Sequence, residues 1–398
     1  MGKLYCRTFQ AGMKIANYFI GYRTPDTIQG AGSVLKLPKM VKEKGVKKVL
    51  IVTQNFLIEI GLLNGMLEAM KNENMEYTIF SDIQVNPTDE NVEAGYKVYK
   101  DENCDGIIAF GGGSPMDCAK AIAAKSVHPN KSIRQLQGIL KVRKKICPFW
   151  AVPTTAGTGS ETTVAAVITE AKTHHKAPIN DPAILPRYAV LDPELTRGLP
   201  PKTTATTGLD ALCHAIEAYT NHTYNTKEED ARAKNAVKLI YHNLYKAYLD
   251  GNDMEARQNM QIAAFDAGRA FTRGCVGYVH AVGHTLGGLY GLAHGEAMSI
   301  ILPYVLRQFG SAVYDLLAEL ADVCEIKGKD NKEKTEAFIS WIEDMKNEMN
   351  IPKGIDCIKD EDIDQIIDWA IKEANPLYPV PVIWDTNDFK KLINELRK

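Results

Sequence analysis

Apolar residues follow two different patterns along the chain, and the first half alternates between them. Short runs rich in branched apolar residues predict buried strands, and stretches with apolar residues at every third or fourth position predict helices. The predicted strands are Val49–Thr53, Tyr77–Phe80, Gly106–Phe110, Phe149–Val152 and Ala189–Leu191, and the predicted helices are Gly61–Asn72, Thr88–Glu102 and Met116–Lys125. Strands that alternate with helices form a parallel sheet covered by helices. We therefore predict an α/β domain with a parallel, Rossmann-like sheet.

From about Leu199 onward the strand pattern disappears and only helical spacing remains. The predicted helices are Ala205–Tyr219, Ala231–Tyr248, Ala256–Phe271, Ala297–Phe309 and Ala312–Cys324. A proline-rich segment, Asp192–Pro201, separates the two patterns and is typical of a connection between domains. We therefore predict two domains, an α/β domain over residues 1–198 and an all-helical domain over residues 199–398.

Composition and charge narrow the classes of function. The 398 residues carry 47 basic and 49 acidic side chains, so the net charge of −2 gives no general attraction to nucleic acid or to an anionic membrane. The longest strongly apolar stretch, Ala297–Leu306, is far shorter than the roughly 20 residues that cross a bilayer. The eight cysteines form no CxxC pair, and the N-terminus lacks a secretory signal. These features predict a cytoplasmic protein whose partner is a small molecule.

Two glycine-containing loops each follow a predicted strand. The first contains Gly111, Gly112, Gly113, Ser114 and Pro115, and the second contains Thr154, Thr155, Gly157 and Thr158. Glycines let a backbone approach a phosphate closely, and the N–H groups at the start of the following helix attract an anion. Taken alone, the first loop could equally be a tight turn between a strand and a helix, and the second could be a capped helix start, without any ligand. Two such loops in one α/β domain predict a bound nucleotide.

The second half contains a cluster of metal-ligating residue types. Asp210 and His214 lie four residues apart in a helical pattern, as do His280 and His284, and His294 follows ten residues later. Spacing of four places both side chains of a pair on one face of a helix. One carboxylate and three imidazoles suit a borderline divalent ion such as iron(II) or zinc, whereas magnesium and calcium prefer oxygen ligands. The cluster therefore predicts a transition-metal site.

Four motifs in order give the chain a recognisable resemblance. They are Gly111–Ser114, Pro153–Glu161, Gly208–Tyr219, and the histidine series that ends in His294-Gly295-Glu296. From about Gly30 to about Tyr304 the sequence resembles the group III iron-containing alcohol dehydrogenases, the family of lactaldehyde reductase, 1,3-propanediol dehydrogenase and the bacillar methanol dehydrogenase. The resemblance implies hydride transfer between NAD(P)(H) and a short-chain primary alcohol or aldehyde, with iron(II), or zinc as the alternative, polarising the substrate oxygen. It also implies a homo-oligomer.

The resemblance assigns roles to individual residues. It implies that Asp210, His214, His280 and His294 are the metal ligands and that His284 is a catalytic residue near the nicotinamide, on the proton path. It places the dinucleotide on Gln54, Asn86, Gly111, Gly112, Gly113, Ser114, Pro115, Asp117, Thr154, Thr155, Gly157, Thr158, Val167 and Lys176.

Two positions depart from the family pattern. Many NAD-using members have Asp where this chain has Gln54, so NAD(H) and NADP(H) both stay open. Relatives usually carry a small or amide residue at the position of Arg273, near Phe271. An arginine there could grip an anionic substrate such as a semialdehyde or a sulfoaldehyde, or could form a surface or subunit contact. We therefore treat Phe271 and Arg273 as candidate substrate residues.

Other functions are compatible with parts of this pattern. A polyol oxidoreductase of the glycerol dehydrogenase type would share the layout but use a different ligand set. A metal-dependent hydrolase could use the same cluster without a dinucleotide. A non-catalytic nucleotide-binding module would need no metal at all. Because all four implied ligand positions are filled, the pattern favours the iron-type alcohol dehydrogenase.

Overall fold

The computed structural model describes residues 2–172 and 176–397, which fold as two compact units. One unit spans Tyr22–Gly198 and contains all nine strands found among the described residues. The other contains the residues up to Gly21 together with those from Leu199 onward, and it is helical. An α/β unit with a parallel sheet and a helical unit confirm the predicted fold class.

The predicted division placed the first residues of the chain in the α/β domain, and in the structure they belong to the helical unit instead. They form a helix that belongs to the helical unit. The Arg7 guanidinium donates to the Pro381 carbonyl at 2.9 Å, and the Gln10 amide donates to the Tyr378 carbonyl at 2.9 Å. These partners lie more than 360 residues further along the chain, so local spacing could not reveal them.

The strands form two sheets. Their bounds are β1 Asp26–Gln29, β2 Lys48–Val52, β3 Glu76–Phe80, β4 Gly106–Gly111, β5 Gly138–Ile139, β6 Phe149–Pro153, β7 Ala165–Thr169, β8 Lys176–Asn180 and β9 Tyr188–Leu191. The main sheet has the order β1-β9-β6-β4-β2-β3, and every pair in it is parallel. Its central strands are buried on both faces, which explains their continuous apolar runs.

The order of the main sheet places three loops side by side. Because β2, β4 and β6 are neighbours and parallel, the segments after Val52, Gly111 and Pro153 leave the same edge of the sheet. In open α/β sheets, ligands bind at the carboxyl ends of the strands. The sequence did not predict a second, three-stranded sheet, which has the order β5-β8-β7. Its strand β5 lies between β4 and β6 in the chain, and β7 and β8 follow the loop after β6.

The helices alternate with strands in the first unit and follow one another in the second. Their bounds are α1 Lys3–Phe19, α2 Leu37–Glu43, α3 Asn55–Glu59, α4 Asn64–Asn72, α5 Asp89–Asp101, α6 Gly113–Ser126, α7 Ile133–Leu136, α8 Pro201–Thr220, α9 Lys227–Leu249, α10 Met254–Gly274, α11 Tyr278–Tyr290, α12 His294–Phe309, α13 Tyr314–Val323, α14 Asn331–Glu348, α15 Ile363–Ala374 and α16 Thr386–Leu396. Within the described part of the chain, no helix combines the length and apolarity needed to cross a membrane.

Two glycines let three helices of the helical unit approach closely. A Cβ at Gly283 on α11 would overlap the side chain of Met298 on α12. A Cβ at Gly295 would lie 2.6 Å from the Thr206 carbonyl oxygen on α8. Any larger residue at these positions would separate the helices. The close approach places the start of α12 beside α8 and α11.

Candidate functional site

Three helices of the helical unit bring the predicted metal ligands together. Asp210 and His214 lie one turn apart on α8, His280 lies in the first turn of α11, and His294 begins α12. One ligand atom from each of these four side chains lies within 4.8 Å of all the others. The Oδ1 atom of Asp210 is 3.3 Å from Nε2 of His294, 3.8 Å from Nε2 of His280 and 3.9 Å from Nε2 of His214.

Burial and unsatisfied polar atoms test whether this cluster fits a cation. Asp210, His214 and His280 are almost fully buried, and His294 has 43% of its side chain exposed, so one side of the cluster is open. Oδ1 of Asp210 and Nε2 of His280 are buried without a hydrogen-bond partner. Buried polar atoms are normally satisfied, and a missing ion is one cause of exceptions. The donor set therefore fits a transition metal such as iron(II).

The charge states of the cluster also suit metal binding. Burial favours protonation of Asp210, but His214, His294 and His280 outweigh it and hold the pKa of Asp210 below its ordinary value. Burial lowers the pKa of His214 to about 3 and that of His280 well below its ordinary value. An ionised carboxylate and neutral imidazoles are the forms that bind metals.

Glu217, which was not predicted from sequence, contacts the ligand His280 of the cluster. Its Oε2 atom lies 2.5 Å from Nδ1 of His280, and its Oε1 atom accepts a hydrogen bond from the Val279 amide at 2.7 Å. This bond leaves Nε2 of His280 for the cluster, as in many metal sites where a carboxylate orients a histidine. Burial raises the pKa of Glu217 to about 7 against the opposing hydrogen bonds of the Gly277 and Val279 amides.

Two further predicted residues border the cluster. The ring of Phe271, near the end of α10, stacks on His214 with ring centroids 4.2 Å apart. The ring of His284 stacks on His294 with centroids 5.2 Å apart. Nδ1 of His284 lies 2.7 Å from Oε1 of Glu373, the penultimate residue of α15. Glu373 was not identified from sequence.

Arg273 is engaged elsewhere in the helical unit. Its Nε atom donates to the Tyr224 carbonyl at 2.9 Å and lies 3.9 Å from Oε2 of Glu229. Arg269 approaches the same carboxylate at 3.6 Å. Only 14% of the Arg273 side chain is exposed. These contacts favour a structural role for Arg273 within the helical unit over a substrate contact.

In the α/β unit, the first glycine loop has a backbone that only glycine adopts easily. Gly111 has a φ of +148°, and a Cβ there would lie 2.7 Å from Cγ of Pro115. Gly112 precedes α6, whose first turn has no acidic residue and no side-chain cap. The N–H groups at the start of α6 are therefore suited to an anionic group.

The two glycine loops pack against each other. A Cβ at Gly112 would lie 3.4 Å from the Thr155 side chain, and one at Gly113 would lie 3.3 Å from Cγ2 of Thr158. The Thr154 amide donates to the Gly111 carbonyl at 3.1 Å. The two loops therefore form one continuous surface at the edge of the sheet.

The buried side chain of Lys120 holds the segment that follows the second loop. Nζ of Lys120, on α6, donates to the carbonyl of Ser160 at 2.6 Å, to Oγ1 of Thr163 at 2.7 Å and to the carbonyl of Ala165 at 2.9 Å. Burial lowers the pKa of Lys120 to about 8. Lys120 was not predicted from sequence, although its apolar neighbours on α6 are a signal of a buried lysine.

The remaining predicted nucleotide residues lie around these loops. The backbone N–H of Asn86 donates to Oγ of Ser114 at 3.3 Å, which places that segment beside the first loop. Both carboxylate oxygens of Asp117 accept hydrogen bonds from the protein, from Oγ of Ser160 and from the Val167 amide, each at 3.0 Å. Asp117 therefore holds the second loop and β7 in place.

Three further predicted residues lie around these loops. Gln54 lies two residues after the end of β2, and its Nε2 atom is 3.5 Å from the Ile83 carbonyl oxygen. Val167 lies on β7, and Lys176 pairs with Thr169 at the start of β8. Partial burial lowers the pKa of Lys176.

Comparison with protein-family models gives two matches that together cover most of the chain. Residues 24–193 match the iron-containing alcohol dehydrogenase family, and residues 204–396 match the C-terminal part of the Fe-containing alcohol dehydrogenase family. The N-terminal helix α1 lies outside both matched ranges.

Individual known proteins to which the chain is similar are also alcohol dehydrogenases or aldehyde reductases. The chain is 38% identical to the NAD-dependent methanol dehydrogenase of Bacillus methanolicus, over 90% of this chain and 94% of that protein. Among solved structures it is similar to a 1,3-propanediol oxidoreductase, with a TM-score of 0.91 and 33% identity over 95% of this chain and all of that one. It is also similar to the sulfoacetaldehyde reductase from Bifidobacterium kashiwanohense in complex with NAD+, with a TM-score of 0.84 and 30% identity over 95% of this chain and 98% of that one.

Proposed function

The chain belongs to the iron-containing alcohol dehydrogenase family and is a metal-dependent, NAD(P)-linked alcohol dehydrogenase, and from this premise we propose roles for its residues. Asp210, His214, His280 and His294 hold the divalent ion. The observation that carries this assignment is the convergence of their four ligand atoms within 4.8 Å around buried, unsatisfied Oδ1 and Nε2 atoms.

When bound, the ion supplies Lewis-acid polarisation of the substrate oxygen and the nicotinamide exchanges the hydride. Residues of the chain orient the ligands, admit the substrate and transfer the proton. Glu217 orients His280, and the exposed side of the cluster at His294 admits the substrate. His284 accepts the proton that the alcohol hydroxyl releases during oxidation, and returns it during aldehyde reduction.

The glycine loops bind the dinucleotide. Backbone N–H groups of Gly112 and Gly113 at the start of α6 bind the pyrophosphate, with hydroxyl groups of Ser114, Thr154, Thr155 and Thr158 around them. Their packing against each other supports this role because it forms one surface at the carboxyl ends of β4 and β6.

The substrate is a neutral short-chain primary alcohol or the corresponding aldehyde. The Phe271 ring, stacked on His214, offers an apolar surface beside the ligands, and Arg273 is already paired with Tyr224 and Glu229. The similarity to a sulfoacetaldehyde reductase favours an anionic aldehyde as a second candidate. The two candidates differ in what they require of Arg273.

Aldehyde reduction tests the function and the candidates together. Iron(II)-loaded protein under anaerobic conditions should oxidise NADH with propanal or butanal, followed by absorbance. Arg273→Ala should change KM equally for neutral and anionic aldehydes, and Arg273→Lys serves as the matched variant that keeps the charge. A rise in KM confined to sulfoacetaldehyde or a semialdehyde would support the anionic substrate instead.

Iron(II) is the proposed native ion, in preference to zinc. One carboxylate and three imidazoles accept both ions, so redox behaviour must separate them. Activity should decay in air and return with iron(II) and a reductant. Activity that survives aerobic dialysis unchanged would indicate zinc.

A homo-oligomer is the proposed assembly. Four large apolar side chains on one face of α1 are strongly exposed in the single chain: Leu4, Ile15, Tyr18 and Phe19. Contiguous exposed apolar residues often mark an interface. Light scattering should give a mass above that of one chain, and Ile15→Ser with Tyr18→Ser should lower it.

A reducing compartment such as the cytoplasm is the proposed location. All eight cysteines are free thiols in the structure, which supports such a setting. Fractionation of cells that produce the protein, followed by immunodetection, would test this location.

A further inference from the structure

His284 is held by a carboxylate from a distant part of the chain. Its Nδ1 atom lies 2.7 Å from Oε1 of Glu373, which is 89 residues further along. The His284 ring stacks on His294, and its centroid lies 5.6 Å from that of His280. The pair of His284 and Glu373 therefore borders the proposed metal ligands.

A third group fixes the direction of these hydrogen bonds. The Tyr378 hydroxyl lies 3.2 Å from the same Oε1 atom of Glu373. Burial, together with the Glu373 carboxylate, raises the pKa of Tyr378 well above its ordinary value, so the tyrosine keeps its proton and donates it. An ionised carboxylate only accepts. Nδ1 of His284 therefore carries a hydrogen, and the lone pair of the neutral ring is on Nε2.

The same arrangement occurs one helical turn earlier. On α11, His280 and His284 each turn Nδ1 to a carboxylate, to Glu217 and Glu373 respectively. The two histidines differ in exposure, because 2% of the His280 side chain and 40% of the His284 side chain are accessible. A buried imidazole suits metal ligation, and a solvent-accessible one can pass a proton to water.

We propose that Glu373, itself held by Tyr378, is a positioning residue of the alcohol dehydrogenase reaction that fixes the ring orientation and tautomer of His284. During oxidation, the substrate carbon loses a hydride to NAD+ and the hydroxyl loses its proton to Nε2 of His284. The hydrogen bond between Nδ1 and the Glu373 carboxylate holds the ring in place during this transfer, and the proton then passes from the solvent-accessible ring to water. The inference rests on the proton-transfer role of His284 in the proposed function.

Glu373→Ala removes the acceptor and should lower kcat about tenfold, as part of the roughly 100-fold or larger contribution of a positioned acid–base group. KM for NADH and bound iron should stay unchanged, because neither the loops nor the ligands are altered. Glu373→Gln keeps an oxygen that can accept from Nδ1 and should recover part of the loss. Asp368→Ala is the matched control, since Asp368 is an exposed acidic residue on the same helix, paired with Lys372.

A double-mutant cycle separates this inference from the proposed function. In a His284→Ala background, adding Glu373→Ala should cause no further loss of kcat, since Glu373 acts only through His284. Wild-type activity of His284→Ala alone would refute the role of His284 in the proposed function. Reduced activity of His284→Ala with wild-type activity of Glu373→Ala, or additive losses in the double variant, would refute the positioning role.

Tyr378→Phe tests the same chain of contacts with a milder change. It deletes one hydrogen bond to Glu373 and leaves the carboxylate in place. A two- to fivefold fall in kcat that vanishes in the His284→Ala background is expected, on the order of one lost hydrogen bond. Should Glu373→Ala fail to fold, as judged by thermal melting, this variant decides the inference: an unchanged kcat would overturn it.

Discussion

The proposed metal cluster of Asp210, His214, His280 and His294 is built from a different part of the polypeptide than the two glycine loops, for which we propose dinucleotide binding. In the helical unit, four side chains from α8, α11 and α12 converge on one point, and the backbone positions them without offering a ligand atom of its own. In the α/β unit, the start of α6 offers N–H groups, and glycines keep side chains out of the way. Side-chain identity therefore decides the chemistry of the first region, and backbone conformation decides that of the second.

The two regions nevertheless share one feature, a second layer of charged residues. Glu217 orients His280 in the helical unit, while Lys120 and Asp117 hold the second loop in the α/β unit. Each of these groups is satisfied by hydrogen bonds to the parts that it positions. Such support limits the motion of the groups that contact the ligand.

The largest effect is expected from a change to the metal cluster. Asp210→Ala removes the only carboxylate among the four ligands and should abolish stoichiometric iron binding. We expect kcat to fall by about a thousandfold or more, because the ion supplies several kcal/mol of transition-state stabilisation. NADH binding, measured by fluorescence titration, should be unchanged. Asp322→Ala, at an exposed ion pair with Lys334, is the control; full iron content in Asp210→Ala would break the comparison.

A backbone change should have the converse effect in the α/β unit. Gly111→Ala forces a side chain into a φ of +148° and against Pro115. Strain of about 1–3 kcal/mol should weaken NADH binding by about 10- to 100-fold, while metal analysis finds the iron unchanged. Gly198→Ala is the matched control, since a Cβ there meets nothing within 4 Å. Unchanged NADH binding would show that this backbone conformation is not required.

An intermediate effect is expected from the second layer of the metal cluster. One carboxylate oxygen of Glu217 accepts a hydrogen bond from His280 and the other accepts one from the Val279 backbone N–H. Glutamine has a single side-chain oxygen, so it cannot accept both bonds in this way. Glu217→Gln should therefore weaken iron binding by about 10- to 100-fold. Competition with a chelator measures the affinity, with Glu319→Gln on an exposed carboxylate as the control. Equal affinities of the two variants would mean that Glu217 does not orient His280.

Much of this arrangement could be predicted because it depends on local spacing. Branched apolar runs gave β2, β4 and β6 their positions, and the spacing of four residues placed Asp210 beside His214 on one face of α8. Glu217 could have been found in the same way. It lies two helical turns from Asp210, on the same face of the helix.

Other contacts could not be predicted, since they join residues that are distant in the sequence. Glu373 reaches His284 across 89 residues, and α1 is held by carbonyls of the C-terminal segment. Arg273 became a candidate substrate residue because relatives usually carry a small or amide residue at its position. Its contact with Glu229 on α9 depends on tertiary packing, which the sequence does not show. Helical spacing predicts on which face of a helix a residue lies, but the residues that this face contacts depend on tertiary packing.

The smallest effect is expected at Gln54, the one position in the α/β unit where side-chain identity should matter more than backbone. Gln54 follows β2 and is uncharged, so we expect the enzyme to use both NADH and NADPH. In Gln54→Asp, a new carboxylate near the 2′-phosphate should lower kcat/KM for NADPH about fivefold, because a like-charge contact costs about 1 kcal/mol even in a solvated setting. The value for NADH should not change.

Gln54→Asn is the control for that change, since it shortens the side chain without adding charge. The ratio of kcat/KM for NADPH to that for NADH is the quantity to measure, at low and high salt, because screening should shrink a purely electrostatic effect. If Asn and Asp shift the ratio equally, shape rather than charge selects the coenzyme at this position. Side-chain charge would then matter little at this position, whereas the charge and donor atoms of the side chains decide the chemistry of the metal cluster.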